Sequence, residues 1–238
     1  MSQQADPGPK PRYHRLLIGF NHHTECRSVL GFAAQVSQAA GVELAGVFVE
    51  DQDLLDLARL PFSAEILSSS RQTRNLDFNS IEGELRAIAW QMQRSLRILA
   101  ERTKRQYSFR TVRGHLLRAL IAQVEAGDLV LLRTACVPWP STKPAMSIIG
   151  NIRGPVVLLE PPGSGNGNLV ALAQEIARIM KQELVVLREY SGPQTLRSLN
   201  AGLIIAPAAL LSADAAGNGV ERFVDAAPCP VLLVPETG

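Results

Sequence analysis

Short apolar runs along this chain alternate with longer stretches in which apolar residues recur at helical spacing. That alternation predicts βαβ units and a mostly parallel sheet. Leu16–Phe20 is almost wholly apolar, as a strand buried on both faces requires. In Thr24–Ala40 the apolar positions Cys26, Val29, Leu30, Ala33 and Ala40 share a helical face, with Thr24 placed to cap the start and Gly41 the end. Leu44–Val49 reads as a second strand and Leu54–Leu60 as a short helix stopped by Pro61. Residues 62–76 are polar and show no clear period.

A long helix is expected over Ser80–Lys104, where Ile81, Leu85, Ile88, Ala89, Met92, Leu96 and Leu99 form one stripe. Asn79 and Glu82 have the spacing of a capping box. Tyr107–Val112 alternates apolar and polar residues, the pattern of a more exposed strand, and Gly114 ends it. Leu116–Ala126 reads as a helix closed by Gly127. Asp128–Leu132 and Val156–Leu159 read as two more buried strands, and the stretch 133–153 between them is broken by prolines. Past a flexible linker at Gly163–Asn168 the order recurs with parts missing. The pieces are a helix over Leu169–Lys181, strands at Leu184–Leu187 and Leu203–Ala206, a helix over Val220–Ala226 and a strand at Val231–Val234. The pattern predicts an internal duplication whose second copy is shortened and lacks a first strand of its own.

Composition narrows this picture. Hydrophobic residues make up 46% of the 238 positions and charged residues 19%, a globular balance, while aromatics at 5% imply an aliphatic core. The net charge of +2 does not by itself point to nucleic acid. The 3 cysteines, Cys26, Cys136 and Cys229, are widely spaced and odd in number, which argues for a reducing compartment without a disulfide framework. The N-terminal stretch is polar and rich in Pro and Gly, unlike a signal peptide, and no apolar run reaches membrane-spanning length. The expectation is a cytoplasmic protein.

The first half resembles the universal stress protein family along nearly all its length. The resemblance is carried by LLIGFNHHTECRSVL (Leu16–Leu30), GVELAGVFVED (Gly41–Asp51) and RGHLLRALIAQVEAGDLVLL (Arg113–Leu132). APCPVLLVP (Ala227–Pro235), similar to the family's last strand, carries it into the second half. It implies an α/β, doubly wound, flavodoxin-like parallel sheet of order 3-2-1-4-5 with helices on both faces. It also implies a tail at 1–14, one such domain at 15–162 and a truncated second repeat at 163–238. Because paired domains of the family commonly meet through their last strands, Val156–Leu159 and Val231–Val234 are expected to pair within the chain as a pseudo-dimer. A homodimer is the other form of self-association left open.

Many family members bind ATP at the carboxyl ends of the strands. Glycines after the fourth strand let backbone N–H groups close on phosphate, and a Ser or Thr completes the loop. By position the nucleotide contacts would be Asn21, Val49, Gly114, Arg133, Thr134 and Ser147. The three glycine positions are occupied here by Arg133, Cys136 and Met146, and only Ser147 keeps the family's residue type. Pro138, Pro140 and Pro144 each remove an N–H from the same loop. Asn21 stands where relatives often carry an acid, and Pro207 and Leu210 occupy glycine positions of the second half. No cofactor is therefore expected, and ATP is kept as the alternative ligand.

Other constellations are weaker. His22, His23 and Cys26, with His115 in a separate loop, lack the paired spacing of a metal site and read as a polar turn. No G-x-S-x-G motif occurs, and Cys136 beside Trp139 reads as an inert thiol. Between Arg71 and Arg118 eleven basic residues face four acidic ones, so this stretch carries +7 and the rest of the chain −5. A solvated helix face is the plain reading, and an acidic partner, RNA or an anionic lipid surface would be the steered ligand otherwise. Missing aromatic interleaving argues against RNA. The sequence thus points to a non-enzymatic, stress-related regulatory module that binds a partner protein or self-associates. The alternative is a divergent ATP- or AMP-binding switch.

Overall fold

Arg15–Phe20 (β1) lies at the heart of the sheet, with Leu16, Leu17, Ile18 and Phe20 all but fully buried. The computed structural model describes residues 13–22, 26–60, 63–66, 73–75, 77–132, 154–160, 167–189, 192–209 and 219–235. After β1 come Cys26–Ala40 (α1), Glu43–Asp51 (β2), Gln52–Arg59 (α2), Ala64–Ile66 (β3), Thr73–Asn75 (β4), Phe78–Thr103 (α3), Tyr107–Gly114 (β5), Leu116–Ile121 (α4) and Leu129–Leu132 (β6). Then follow Val156–Leu159 (β7), Gly167–Met180 (α5), Leu184–Leu187 (β8), Pro193–Arg197 (α6), Leu203–Pro207 (β9), Gly219–Ala226 (α7) and Val231–Val234 (β10).

Eight strands form one sheet in the order β5-β2-β1-β6-β10-β9-β7-β8. All pairs are parallel except β6 with β10. Strands covered on both faces read as continuous apolar runs, and helices supply the cover. One face carries α1, α3 and α5 over Leu16, Ile18, Phe20, Leu129 and Leu158. The other carries α4, α6 and α7 over Leu17, Val47, Val130 and Ile204, with Leu120, Leu196 and Phe223 as the inserted side chains. The α/β doubly wound architecture is as expected, and so is the order third, second, first, fourth across β5-β2-β1-β6.

The strand order beyond β6 corrects the expectation. Val156–Leu159 was expected in the fifth position beside Leu129–Leu132, and as the partner of Val231–Val234. It instead lies between β8 and β9, parallel to both. Val231–Val234 fills the place beside β6, antiparallel to it, and is parallel to β9 on its other side. The run that pattern assigned to the end of the first half thus holds the central position of the second half-sheet, the position β1 holds in the first. Strand length and apolarity are the same for both assignments, so pattern had no means of choosing between them.

Smaller differences have local causes. The helix expected over Leu116–Ala126 stops at Ile121, where Gln123 and Val124 donate to carbonyls three residues back and the chain tightens into turns. Asp128 then takes the Glu125 N–H at 2.7 Å and both guanidinium arms of Arg15 at 2.8 Å, which ties the start of β1 to the start of β6. The cap of α3 is Asp77, whose Oδ2 accepts from the Ser80 N–H at 2.9 Å, in place of Asn79. Part of the aperiodic stretch 62–76 forms the antiparallel pair β3–β4. α5 begins at Gly167, inside the expected linker, and α6 has no counterpart in the sequence reading.

Candidate functional site

In an open α/β sheet, ligands bind outside the carboxyl ends of the strands where successive connections diverge to opposite sides. Here that point lies at β1, with β2 on one side and β6 on the other. Asn21 follows β1 directly and is half-buried. Phe20 is level with Phe48, which brings Asn21 to the height of Val49 on the neighbouring strand. Val49 is 1% exposed within the core, so only its backbone can reach the mouth. Gly114 ends β5 opposite Asp51, with φ of 144°, a conformation that glycine tolerates and side chains rarely adopt. The structure therefore brings Asn21, Val49 and Gly114 to one end of three adjacent strands. Arg133, Thr134 and Ser147 lie outside the described residues, as do Cys136, Trp139 and the prolines between Pro138 and Pro144.

The mouth on the β2 side is acidic. Asp51 caps α2 by accepting from the Asp53 N–H at 3.0 Å and the Leu54 N–H at 3.4 Å. Asp53 Oδ2 lies 3.5 Å from Nδ1 of His115, the residue that precedes α4. In the second half, β9 ends on Pro207, which has no N–H, and the next N–H, of Ala208, is committed to the Val234 carbonyl at 2.8 Å. Neither Pro207 nor Ala208 therefore presents a free backbone N–H at this strand end. Among the described residues no three His, Cys, Asp or Glu side chains gather as a metal site would need.

Sequence reasoning missed a charged network on the outer strands. Glu50, 6% exposed, stands in register with Arg113, whose Nε donates to it at 2.8 Å. The other arm of Arg113 donates to Glu82 at 2.6 Å, and Glu82 also holds Arg86 at 3.1 Å. Hydrogen bonds to Glu50 and then Glu82 raise the Arg113 pKa further, so it stays cationic. An acid closing the apolar run of β2 was the one signal available. An open groove of about 420 Å3 runs between α3 and β5 and reaches this network, walled by Glu50, Arg86, Trp90, Gln93, Phe109 and Thr111.

Among solved structures, the chain is similar to a universal stress protein from Archaeoglobus fulgidus DSM 4304, with a TM-score of 0.50 and 10% sequence identity over 94% of this chain and 98% of that one. The fold is universal-stress-protein-like. No family model and no curated protein matches the sequence. At such low identity the likeness carries the architecture and none of the site residues. Within this fold no described helix is long and apolar enough to cross a membrane.

Proposed function

We propose that this chain is a cytoplasmic, non-enzymatic regulatory module with two universal-stress-protein-like halves, which acts by binding a partner protein in place of ATP. The reading is supported by the residues that occupy the positions where the family's phosphate loops would lie. Side chains stand at Arg133, Cys136 and Met146 in the first half, and Pro207 with a committed Ala208 N–H in the second. Phosphate recognition by such loops depends on converging backbone N–H groups, which prolines and Cβ atoms remove.

The two-half reading rests on topology. β7 lies between β8 and β9 as β1 lies between β2 and β6, and α1 and α5 follow the two central strands and pack against each other. On this reading the second half begins at β7, with strands equivalent to the second, first, fourth and fifth, and the first half borrows β10 as its fifth. β10 has neighbours on both sides, so a second copy cannot dock on the last strand.

Native mass spectrometry of the full chain with and without Mg-ATP tests the reading. The expected spectrum shows no nucleotide adduct beyond that of unrelated anions. An adduct that survives competition by those anions makes the chain a divergent nucleotide-linked switch and overturns the proposal.

A further inference from the structure

We infer that the open edge of β5, with the groove beside it, docks an extended acidic segment of a partner protein, which adds to the sheet as a further strand. The inference rests on the partner-binding reading above and names the surface and the chemistry. β5 is the outermost strand of its side of the sheet, and among the described residues no strand pairs beyond it. Its eight residues run in unbroken register with β2, without a bulge or a proline to blunt the edge. The opposite edge, β8, is only four residues long.

The polarity of the edge follows from one hydrogen bond. In a strand the N–H and C=O of a residue share one side, and the side alternates along the chain. Leu44 N–H donates to the Gln106 carbonyl at 3.0 Å. Ser108, Arg110 and Val112 therefore turn their backbone groups to β2, while Tyr107, Phe109, Thr111 and Arg113 turn theirs outward. That outward row is a template for peptide backbone. The groove beside it receives every second side chain of an added strand, and Trp90, 62% exposed, is a large apolar surface at its wall.

Charge selects the occupant. Residues 77–118 carry nine basic and four acidic side chains. Among the described residues Arg110 bonds a neutral oxygen, Oε1 of Gln123 at 2.6 Å, and the Arg94 guanidinium lies 5.7 Å from the Trp90 ring centre. A second copy of this edge would set arginines against arginines, which is unfavourable across a strand pair, whereas a strand with alternating carboxylates meets opposite charge. Single-stranded RNA calls for several stacking aromatics, and this groove has Trp90 at its wall with Phe109 half-buried beneath.

The test uses amide exchange by NMR on the full chain with a synthetic ten-residue peptide alternating Glu and Val. Its controls are the same peptide with Lys for Glu, an oligouridine and anionic phosphatidylserine vesicles. The Glu peptide is expected to slow exchange at Phe109, Thr111 and Arg113 at least tenfold, and the Lys peptide not to. Thr111→Pro removes one outward N–H without touching a bond to β2, and should weaken binding at least tenfold. Trp90→Ser, at an exposed helix position, should weaken it as well, and decides the matter should the proline variant fail to fold. Absence of protection with the Glu peptide, affinity unchanged in the variants, or equal protection by oligouridine or vesicles overturns the inference. A lack of both ATP adduct and edge protection overturns the docking edge alone, whereas an ATP adduct overturns the parent reading.

Discussion

Two glycines of this chain look alike in sequence and differ in what surrounds them. Gly83 lies in the solvent-facing part of α3, and a Cβ there meets nothing within 4 Å. Gly154 has φ of 115°, and a Cβ would fall 2.9 Å from the Asn200 carbonyl oxygen and 3.0 Å from the Gly202 nitrogen. Helix propensity favours Ala over Gly by about 1 kcal/mol, so Gly83→Ala should raise stability by about that amount. Gly154→Ala meets backbone on a disallowed dihedral and should cost about 2 kcal/mol or more. Urea unfolding of the two variants checks both signs, and equal effects would mean that the approach of residues 200–202 to β7 is not rigid. The same scale shows how much of the site was legible. Asn21 was placed at a strand end because an apolar run ends there, and Gly114 because an alternating apolar and polar run ends there. Pairing of Glu50 with Arg113 and Glu82 needed the register of β2 and β5 and the lie of α3, which no local spacing encodes.

Elements form where pattern predicts them, and their ends move with side-chain chemistry. The stripe of α3 is buried as its spacing requires, at Ile81, Leu85, Ala89, Met92, Leu96 and Leu99. Its start is set by whichever carboxylate or amide reaches the first free N–H groups. Asp77 does so here, so Asp77→Ala should cost about 1 kcal/mol while Asn79→Ala stays near zero. Thermal melts of the pair distinguish the observed cap from the capping box that sequence suggested. At the other end, Lys104 adopts a left-handed conformation with φ of 53°, and its N–H donates to the Ala100 and Glu101 carbonyls. α4 illustrates the opposite case, since its apolar pattern runs on past Ile121 while the backbone turns to deliver Asp128 to Arg15.

At the level of the whole molecule, the antiparallel contact of β6 with β10 joins two parallel half-sheets. Leu232 lies at that seam, fully buried and level with Leu131 on β6 and Ile205 on β9. Leu232→Ala should cost about 3 kcal/mol through the cavity it leaves. Hydrogen exchange should accelerate in β6 and β9 together, because β10 pairs with both. Acceleration confined to β9 would mean that the β6–β10 pairing contributes little to stability.

The sequence pattern by itself determined that strands and helices alternate and which runs are apolar throughout, because burial and periodicity are local properties written in each segment, while the doubly wound order was what the family resemblance implied. By that resemblance, side chains at Arg133, Cys136 and Met146 stand where relatives carry glycines. Only the tertiary structure decided that β7 belongs at the centre of the second half-sheet and β10 at the seam. Runs such as VVLL and VLLV are interchangeable as buried strands, and neighbour choice depends on which crossover helix covers which face. The same holds for β5, which among the described residues has β2 on one side and no strand on the other, a placement that no local pattern encodes.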